Sequence, residues 1–573
     1  MRHALLAAVT CLLILAGCQR SQHIHRESRS VDHEAGRYAR DIDAATAAGS
    51  FSPRQAGEDK KGFKSNVTMP EAQGDRDLGT GADNEKLGNP QRWQGEVAVD
   101  PQTGERYAPV VDNPFVRTGS PGGDASTFGL DVDSASYANC RRFIGEMKRL
   151  PPPGAVRIEE LVNTLAYAYP APGPTADVPF RASTAVTACP WAPEHRLVRV
   201  ALRARAIDAA SRPPLNLVFL VDVSGSMSDV NKLPLVRESL LLLAEHLTAR
   251  DRLAIVTYAG HAGTLLPATA GDQQERIRGA IRSLTSGGST NGAGGIEAAY
   301  AEAGRGVAPG TVSRVMLCTD GDFNVGISDR GQLQALVERQ RAGGVCLNAY
   351  GFGMGNYKDD TLETLADHGN GIYGYIDGIA EAHRLFAREA MGQLVTVAKD
   401  AKVQVFFNPA AVGAWRLLGY ENRVLKREDF NDDRVDAGDI GAGHTVTALY
   451  EVVPAGGAMP VAGGGDANPF IATPAASGDP AMLLRLRLRW KDPEATESRL
   501  LEHDVPATVS EMDADFRTAA AAAGFGMLLR HSPWRGACTW DLVARLAESG
   551  RGSDPSGQRA ALAGLIGAAR SLR

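Results

Sequence analysis

What this chain lacks narrows its chemistry first. No basic stripe runs along it, since 61 lysines and arginines face 67 acidic residues for a formal net charge of -6. That balance excludes a surface that gathers nucleic acid electrostatically. The cysteines are few, and setting aside Cys11 and Cys18 near the start leaves Cys140, Cys189, Cys318, Cys346 and Cys538. An odd, scattered set argues against a disulfide scaffold. Cys318 in "RVMLCTD" and Cys346 in "GVCLNAYGFG" sit in apolar runs, as buried small hydrophobes do. A Cys140–Cys189 bridge suits an oxidising compartment, and the sequence leaves that pairing open. The apolar run at the start, from Ala4 to Ala16, is too short to span a bilayer.

That run belongs instead to a signal peptide: Arg2 precedes it and small residues follow it. Its end, Leu15-Ala16-Gly17-Cys18, resembles the lipobox of bacterial lipoproteins. The resemblance implies cleavage after residue 17 and acylation of Cys18. Several acyl chains, at about 0.8 kcal/mol per buried methylene, hold a protein to a membrane almost permanently. Gln19, where an Asp is absent, implies the outer membrane of a Gram-negative bacterium. From residue 18 to residue 123 the composition is Gly, Ala, Asp, Arg, Gln and Pro with little apolar clustering, and this stretch is expected to be a flexible tether. About 100 residues of coil span roughly 55 Å between their ends.

Order is expected from residue 124. "STFGLDVDSASYANCRRFI", the helical "RIEELVNTLAYAY" and the alternating "RASTAVTAC" and "HRLVRVALRARAI" predict a small leading α+β module over 124–213. Over 214–390 apolar strand-like runs alternate with helices: "NLVFLVDV", "RLAIVTYAG", "RVMLCTD", "VCLNAYGFG" and "GIYGYI" are separated by segments such as "LPLVRESLLLLAEHL" and "GIEAAYAEAG". Short buried strands joined by amphipathic crossovers predict an α/β fold, a doubly wound, mainly parallel sheet. In such sheets ligands sit beyond the carboxyl ends of the strands. Over 391–573 the texture becomes alternating, as in "KVQVFFN" and "AMLLRLRLRW", which predicts a β-rich C-terminal domain; three final helices close it.

The carboxyl end of the first central strand carries "LVFLVDVSGSMSD", residues 217–229. Ser224 is no nucleophile elbow, because Asp222 and Ser226 stand where glycines are needed, and the nearest base, His261, reads as a hairpin tip on another strand. A phosphate cradle needs more glycine and a lysine, and two nearby carboxylates repel phosphate. Asp and Ser offer hard oxygen ligands, which suit Mg²⁺ or Ca²⁺ and not zinc. One loop fills only part of an octahedron. Thr290 in "SGGSTNGAGG" and Asp320 in "VMLCTDGD" lie at neighbouring strand ends and can complete it.

Asp222, Ser224 and Ser226 in D-x-S-x-S, with Thr290 and Asp320 downstream, resemble the metal-ion-dependent adhesion site of von Willebrand factor type A domains. With "STFGLDVDSASY", "GFGMGNYKDDTLETLADHGNGIYGYID" and "VDAGDIGAGHTVTALYEV", the chain is similar to bacterial von Willebrand type A lipoproteins that carry a leading associated segment and an uncharacterised C-terminal domain. The resemblance implies a Rossmann-like sheet and Mg²⁺ or Mn²⁺ held by the hydroxyls, with the aspartates acting through water. It implies a coordination place left for an acidic residue of a protein ligand. On the residues alone, Asp222 can also cap the following helix, while a metal-dependent hydrolase and a periplasmic scaffold with a structural metal stay open. None of "DVSGSMS", "GGSTNG" and "CTDGD" brings a His, Lys or Glu base.

Weaker signals remain. "GLDVDSAS" looks like a second copy, but Val132 stands where its serines need an Asp. It also resembles the opening of aspartate-nucleophile phosphatases, with Asp131 as nucleophile and Asp133 as acid, although the strand before it is poorly apolar; a structural turn is the competing expectation. Asp322, Asn356, Asp359 and Asp360 are either a rim around the metal or helix caps, and Tyr373 and Tyr375 are expected in the core.

Overall fold

The computed structural model describes residues 98–573 except 101, 121, 124, 131–132, 174–175, 209, 289–292, 322–329, 355–358, 436 and 461–477. Cys18, Asp131, Thr290, Asp322 and Asn356 lie outside the described residues, as does most of the expected tether.

The strand Leu215–Asp222 is buried along its whole length, so its residues read as a continuous apolar run. It lies inside a six-stranded sheet ordered Tyr373–Ile376, Val345–Phe352, Val312–Thr319, Leu215–Asp222, Arg252–Tyr258 and Ala262–Ala270. All neighbours are parallel except the last pair, an antiparallel hairpin. Alternate side chains of the central strand feed opposite cores. Leu217, Phe219 and Val221 pack with Val236 and Leu240 of the helix Leu233–Ala244; Val218 and Leu220 pack with Ile296 and Leu362 of helices on the other face. This is the doubly wound α/β architecture, and it places the carboxyl ends of the parallel strands on one rim. The segment Ile379–Leu394 is not one regular helix: a π-helical turn at Arg384–Arg388 interrupts it, where buried Arg384 donates to Ser134 Oγ at 2.6 Å.

The remaining strands form two antiparallel sheets. One runs Val116–Arg117, Val412–Leu418, Thr445–Pro454, Ala192–Ala204 and Phe180–Cys189. The other runs Ile440–Gly441, Thr396–Phe407, Met482–Lys491 and Ser498–Pro506, with Ala125–Gly129 also pairing Thr396–Phe407. Their inner faces share a core in which Phe407 stacks on Trp415 with ring centres 4.9 Å apart. The expected separate leading module is therefore corrected: its strands are completed by strands from beyond residue 391. Alternation identifies a strand but not its partner, because every strand of the sandwich carries the same period.

A second correction concerns the tether. Residues 98–123 pack onto the body rather than trailing from it. Tyr107 is fully buried and donates to Glu105 at 2.9 Å, Glu105 holds Arg142 at 2.8 Å, and Phe115 lies edge-on to Trp534. The C-terminal helices Ala514–Leu529, Trp540–Gly550 and Gln558–Arg570 fall where the sequence puts them. Asp513 caps the first by accepting from Phe516 N at 2.6 Å. Its alanines and glycines allow close approach, since a Cβ on Gly526 would lie 2.8 Å from Ile158 Cγ1. Cys140, Cys189, Cys318 and Cys538 are buried and Cys346 half-buried, all as free thiols. Among the described residues no helix is long and apolar enough to cross a membrane.

Buried ion pairs join the parts. Arg157 donates to Asp359 at 2.7 Å and to Glu363 at 2.6 Å, both on the helix Asp359–His368 of the parallel-sheet domain. Arg423 donates to Asp133 at 2.7 Å and pairs with Asp367 at 2.7 Å. Removing one partner of such a pair strands a buried charge, at a cost of about 3–5 kcal/mol. Burial pushes Glu363 up to about 8, with Arg157 pulling the other way and Asp367 adding to the rise. A carboxyl raised above its ordinary value of 4.5 contributes stability at low pH that is lost as pH climbs through the folded value. Melting temperatures of wild type and Glu363→Gln should therefore diverge, the variant gaining on wild type between about pH 5.5 and about pH 8.5. Parallel melting curves over that range contradict this.

Candidate metal centre

Asp222 ends the central strand and Asp320 follows the end of its parallel neighbour Val312–Thr319. Strand pairing alone thus brings the two carboxylates, 98 positions apart in sequence (320 less 222), to one rim. After Asp222 the chain leaves the sheet through a short 3-10 turn, Gly225–Ser228, anchored by the fully buried Met227. Asp222 Oδ1 accepts from Ser224 N at 2.9 Å, which curls the loop back over the strand end. Ser224 is buried, Ser226 is exposed, and their hydroxyls lie 3.0 Å apart. The serine loop is clamped to the next loop by Gly225 N donating to Gly288 O at 3.0 Å and Gly287 N donating to Val223 O at 2.8 Å. Gly288 has φ +87°, a left-handed conformation suited to glycine. Asp222, Ser224, Ser226 and Asp320 are thus gathered on one rim, and Thr290, two residues past Gly288, lies outside the described residues.

Further residues that the sequence did not single out support the site. Tyr258, ending the adjacent strand, donates to Asp222 Oδ2 at 3.2 Å, and Thr319 Oγ1 donates to the same oxygen at 3.1 Å. Lys232 Nζ donates to Asp320 Oδ2 and to Ser226 O, each at 3.0 Å. A lysine therefore stands at the site although none occurs in the loops that form it. Tyr258 and Thr319 could have been found by reading the last residue of each parallel strand; nothing local marks Lys232.

The residues fit a divalent cation. The candidate ligand side chains Asp222, Ser224, Ser226 and Asp320 all present hard oxygens. Asp222 is fully buried, and burial above all, with the nearby Asp320 charge, raises its carboxyl from the ordinary range against the pull of the Ser224 bonds. Two buried carboxylates that repel one another are relieved by a cation between them. His261 is exposed at the turn between Tyr258 and Ala262, while the Ser224 and Ser226 hydroxyls bond each other.

The other candidates resolve differently. Asp133 is buried, bonded to Arg423 and to Tyr373 N at 2.9 Å. The strand before it is antiparallel to Thr396–Phe407, so this aspartate is held in a structural clamp. Ser136 Oγ accepts from Arg157 N at 3.1 Å. Asp359 and Asp360 open a helix; Asp359 is fully buried against Arg157 and Tyr373, and so belongs to the ionic junction and not to a rim. Tyr373 and Tyr375 are core residues.

Comparison with known proteins shows the family of the chain. Residues 216–388 match the von Willebrand factor type A domain, residues 101–199 a further von Willebrand factor segment, and residues 392–572 the C-terminal region described as "Uncharacterized protein YfbK, C-terminal". The uncharacterised protein YfbK of Escherichia coli K12 is 40% identical over 473 residues, covering 80% of each chain. Human inter-alpha-trypsin inhibitor heavy chain H3 is 30% identical over 195 residues, 32% of this chain and 22% of that protein. A solved von Willebrand factor type A protein from Catenulispora acidiphila is 17% identical, with a TM-score of 0.40 over 70% of this chain and 91% of its own.

Tyr258→Phe removes one donor to Asp222 without changing the ring, and should lower the unfolding free energy of the metal-free protein by about 1 to 2 kcal/mol in urea titrations. An unchanged midpoint would show that this bond contributes nothing.

Proposed function

The chain belongs to the YfbK family of von Willebrand factor type A proteins, and on that premise we propose that it is a membrane-anchored binding protein that grips a protein ligand through a divalent ion. Asp222, Ser224, Ser226, Thr290 and Asp320 would hold Mg²⁺, or Mn²⁺. The observation that carries this reading is the convergence of Asp222, Ser224 and Asp320 at adjacent parallel strand ends. The ion supplies an electrophilic centre when bound. Around it the chain's own residues do the shaping: Tyr258 and Thr319 fix the Asp222 carboxylate, and the Gly225–Gly288 bond holds the two loops at a constant separation. Neutral serine hydroxyls add no charge of their own, so two carboxylates balance a divalent ion and leave it able to accept a partner's acidic side chain.

The lipobox at Cys18 supports attachment by acyl chains to the outer membrane.

Affinity capture with the purified chain should retrieve a protein partner in Mg²⁺ and lose it in chelator. Asp222→Ala should abolish capture while leaving the melting profile of the sandwich in place; capture that persists in the variant or in chelator would falsify the metal-bridged reading. Cys18→Ala should release the protein from the membrane fraction and remove its acyl label, and a variant that stays acylated and membrane-bound sinks the anchor.

A further inference from the structure

Lys232 is built into the metal centre more deeply than a surface lysine could be. Its side chain is 8% exposed. Its backbone carbonyl accepts from Val236 N at 2.9 Å as the helix Leu233–Ala244 begins, so the root of the side chain is fixed. Its stem runs through a slot that exists only because residue 353 is glycine: a Cβ there would lie 2.4 Å from Lys232 Cγ and 2.6 Å from its Cε. Gly353 also has φ +79°, and its carbonyl accepts from the Tyr375 hydroxyl, which fixes the slot's wall. At the end of this slot the ammonium meets Asp320 Oδ2 and the Ser226 carbonyl. The exposed Asp229 stands 3.9 Å off as a further anionic neighbour.

Resting on the reading of this site as a metal centre, we propose that Lys232 is a tethered cation that competes with the divalent ion for Asp320, so that it lowers the metal affinity of the site and holds the site together when the ion is absent. The charges require such a role. Asp222 and Asp320 are both buried at one rim, the Asp320 charge adds to the burial that raises the Asp222 carboxyl, and the Lys232 ammonium 3.0 Å from Asp320 Oδ2 offsets part of that negative charge. A divalent ion offsets all of it and is repelled by an ammonium on one of its own ligands. The two cations therefore share one carboxylate, and the lysine sets the ion concentration at which the site fills. Ligand binding becomes responsive to divalent ion levels instead of being permanently enabled.

Lys232→Met keeps an unbranched apolar stem for the Gly353 slot and removes the charge. Calorimetric titration of the full chain with Mg²⁺ alone should show the dissociation constant fall by about tenfold or more in Lys232→Met, while Lys232→Arg changes it by less than about threefold. In chelator Lys232→Met should melt below wild type, and saturating Mg²⁺ should close the gap. On the unaltered chain, amine labelling read by mass spectrometry should find Lys232 more reactive in Mg²⁺ than in chelator, a test that needs no variant to fold. If wild type binds Mg²⁺ and Lys232→Met binds no more tightly, or if labelling is insensitive to the ion, the competition is overturned and the metal centre stands. If neither wild type nor Lys232→Met takes up Mg²⁺, both readings fall together.

Discussion

The constraint on which this structure rests is that neither flank of the parallel-sheet domain can complete its own sheet. Strand Ala192–Ala204 precedes that domain and strand Thr445–Pro454 follows it, yet they pair residue for residue, Val198 opposite Tyr450. The pairing is locked by polar contacts as well: His195 Nδ1 and Glu451 Oε1 lie 2.6 Å apart although 256 positions separate them. The parallel-sheet domain is thus an insertion whose entry and exit are both held by one sandwich. Arg314 near the start of its strand bonds the Leu394 carbonyl and the Thr396 hydroxyl at the sandwich end. Asp320 follows the far end of the same strand, so the site faces away from the support.

The ionic junction refines that support. Burying several carboxylates against Arg157 and Arg423 is expensive, and hydrophobic packing of equal volume is often at least as stable. Directional bonds give something packing does not: Arg157 reaches residues of one helix, Asp359 and Glu363, from a segment two hundred positions earlier in the chain. The motif "DVDSAS", which imitates a metal loop and a phosphatase loop, serves this junction. Asp133, Ser134 and Ser136 each accept a bond from a distant segment. Its resemblance to a site arises because clamps and metal loops draw on the same short oxygen-bearing side chains.

Much of this was legible in the sequence, and the gaps have physical causes. The parallel sheet was readable because strands buried on both faces are continuous apolar runs such as "NLVFLVDV". The loop proposed as the site stood out because an Asp and two serines at alternate positions cluster hard oxygens at a strand end. Strand partners across the insertion were not readable, since alternation carries no address. Ser498–Pro506 contains Arg499, Glu502 and Asp504, because an edge strand turns a face to water and pairs its charges with Arg485 and Arg487 of its neighbour. Residues 98–123 look like linker since a few large anchors, Tyr107 and Phe115, carry their packing. Lys232 is a single residue whose importance exists only in three dimensions.

The split sandwich also dictates an order of events during synthesis. The hairpin Phe180–Cys189 with Ala192–Ala204 can close as soon as it emerges, and the inserted domain can fold next from mostly sequential elements. The hairpin's open edge must then wait until Thr445–Pro454 has been made. Contacts of such long sequence separation form late and leave an unpaired edge exposed meanwhile. A chain of this design therefore carries an unpaired sheet edge while the whole inserted domain is being made, and anything that shields that edge governs how much protein matures.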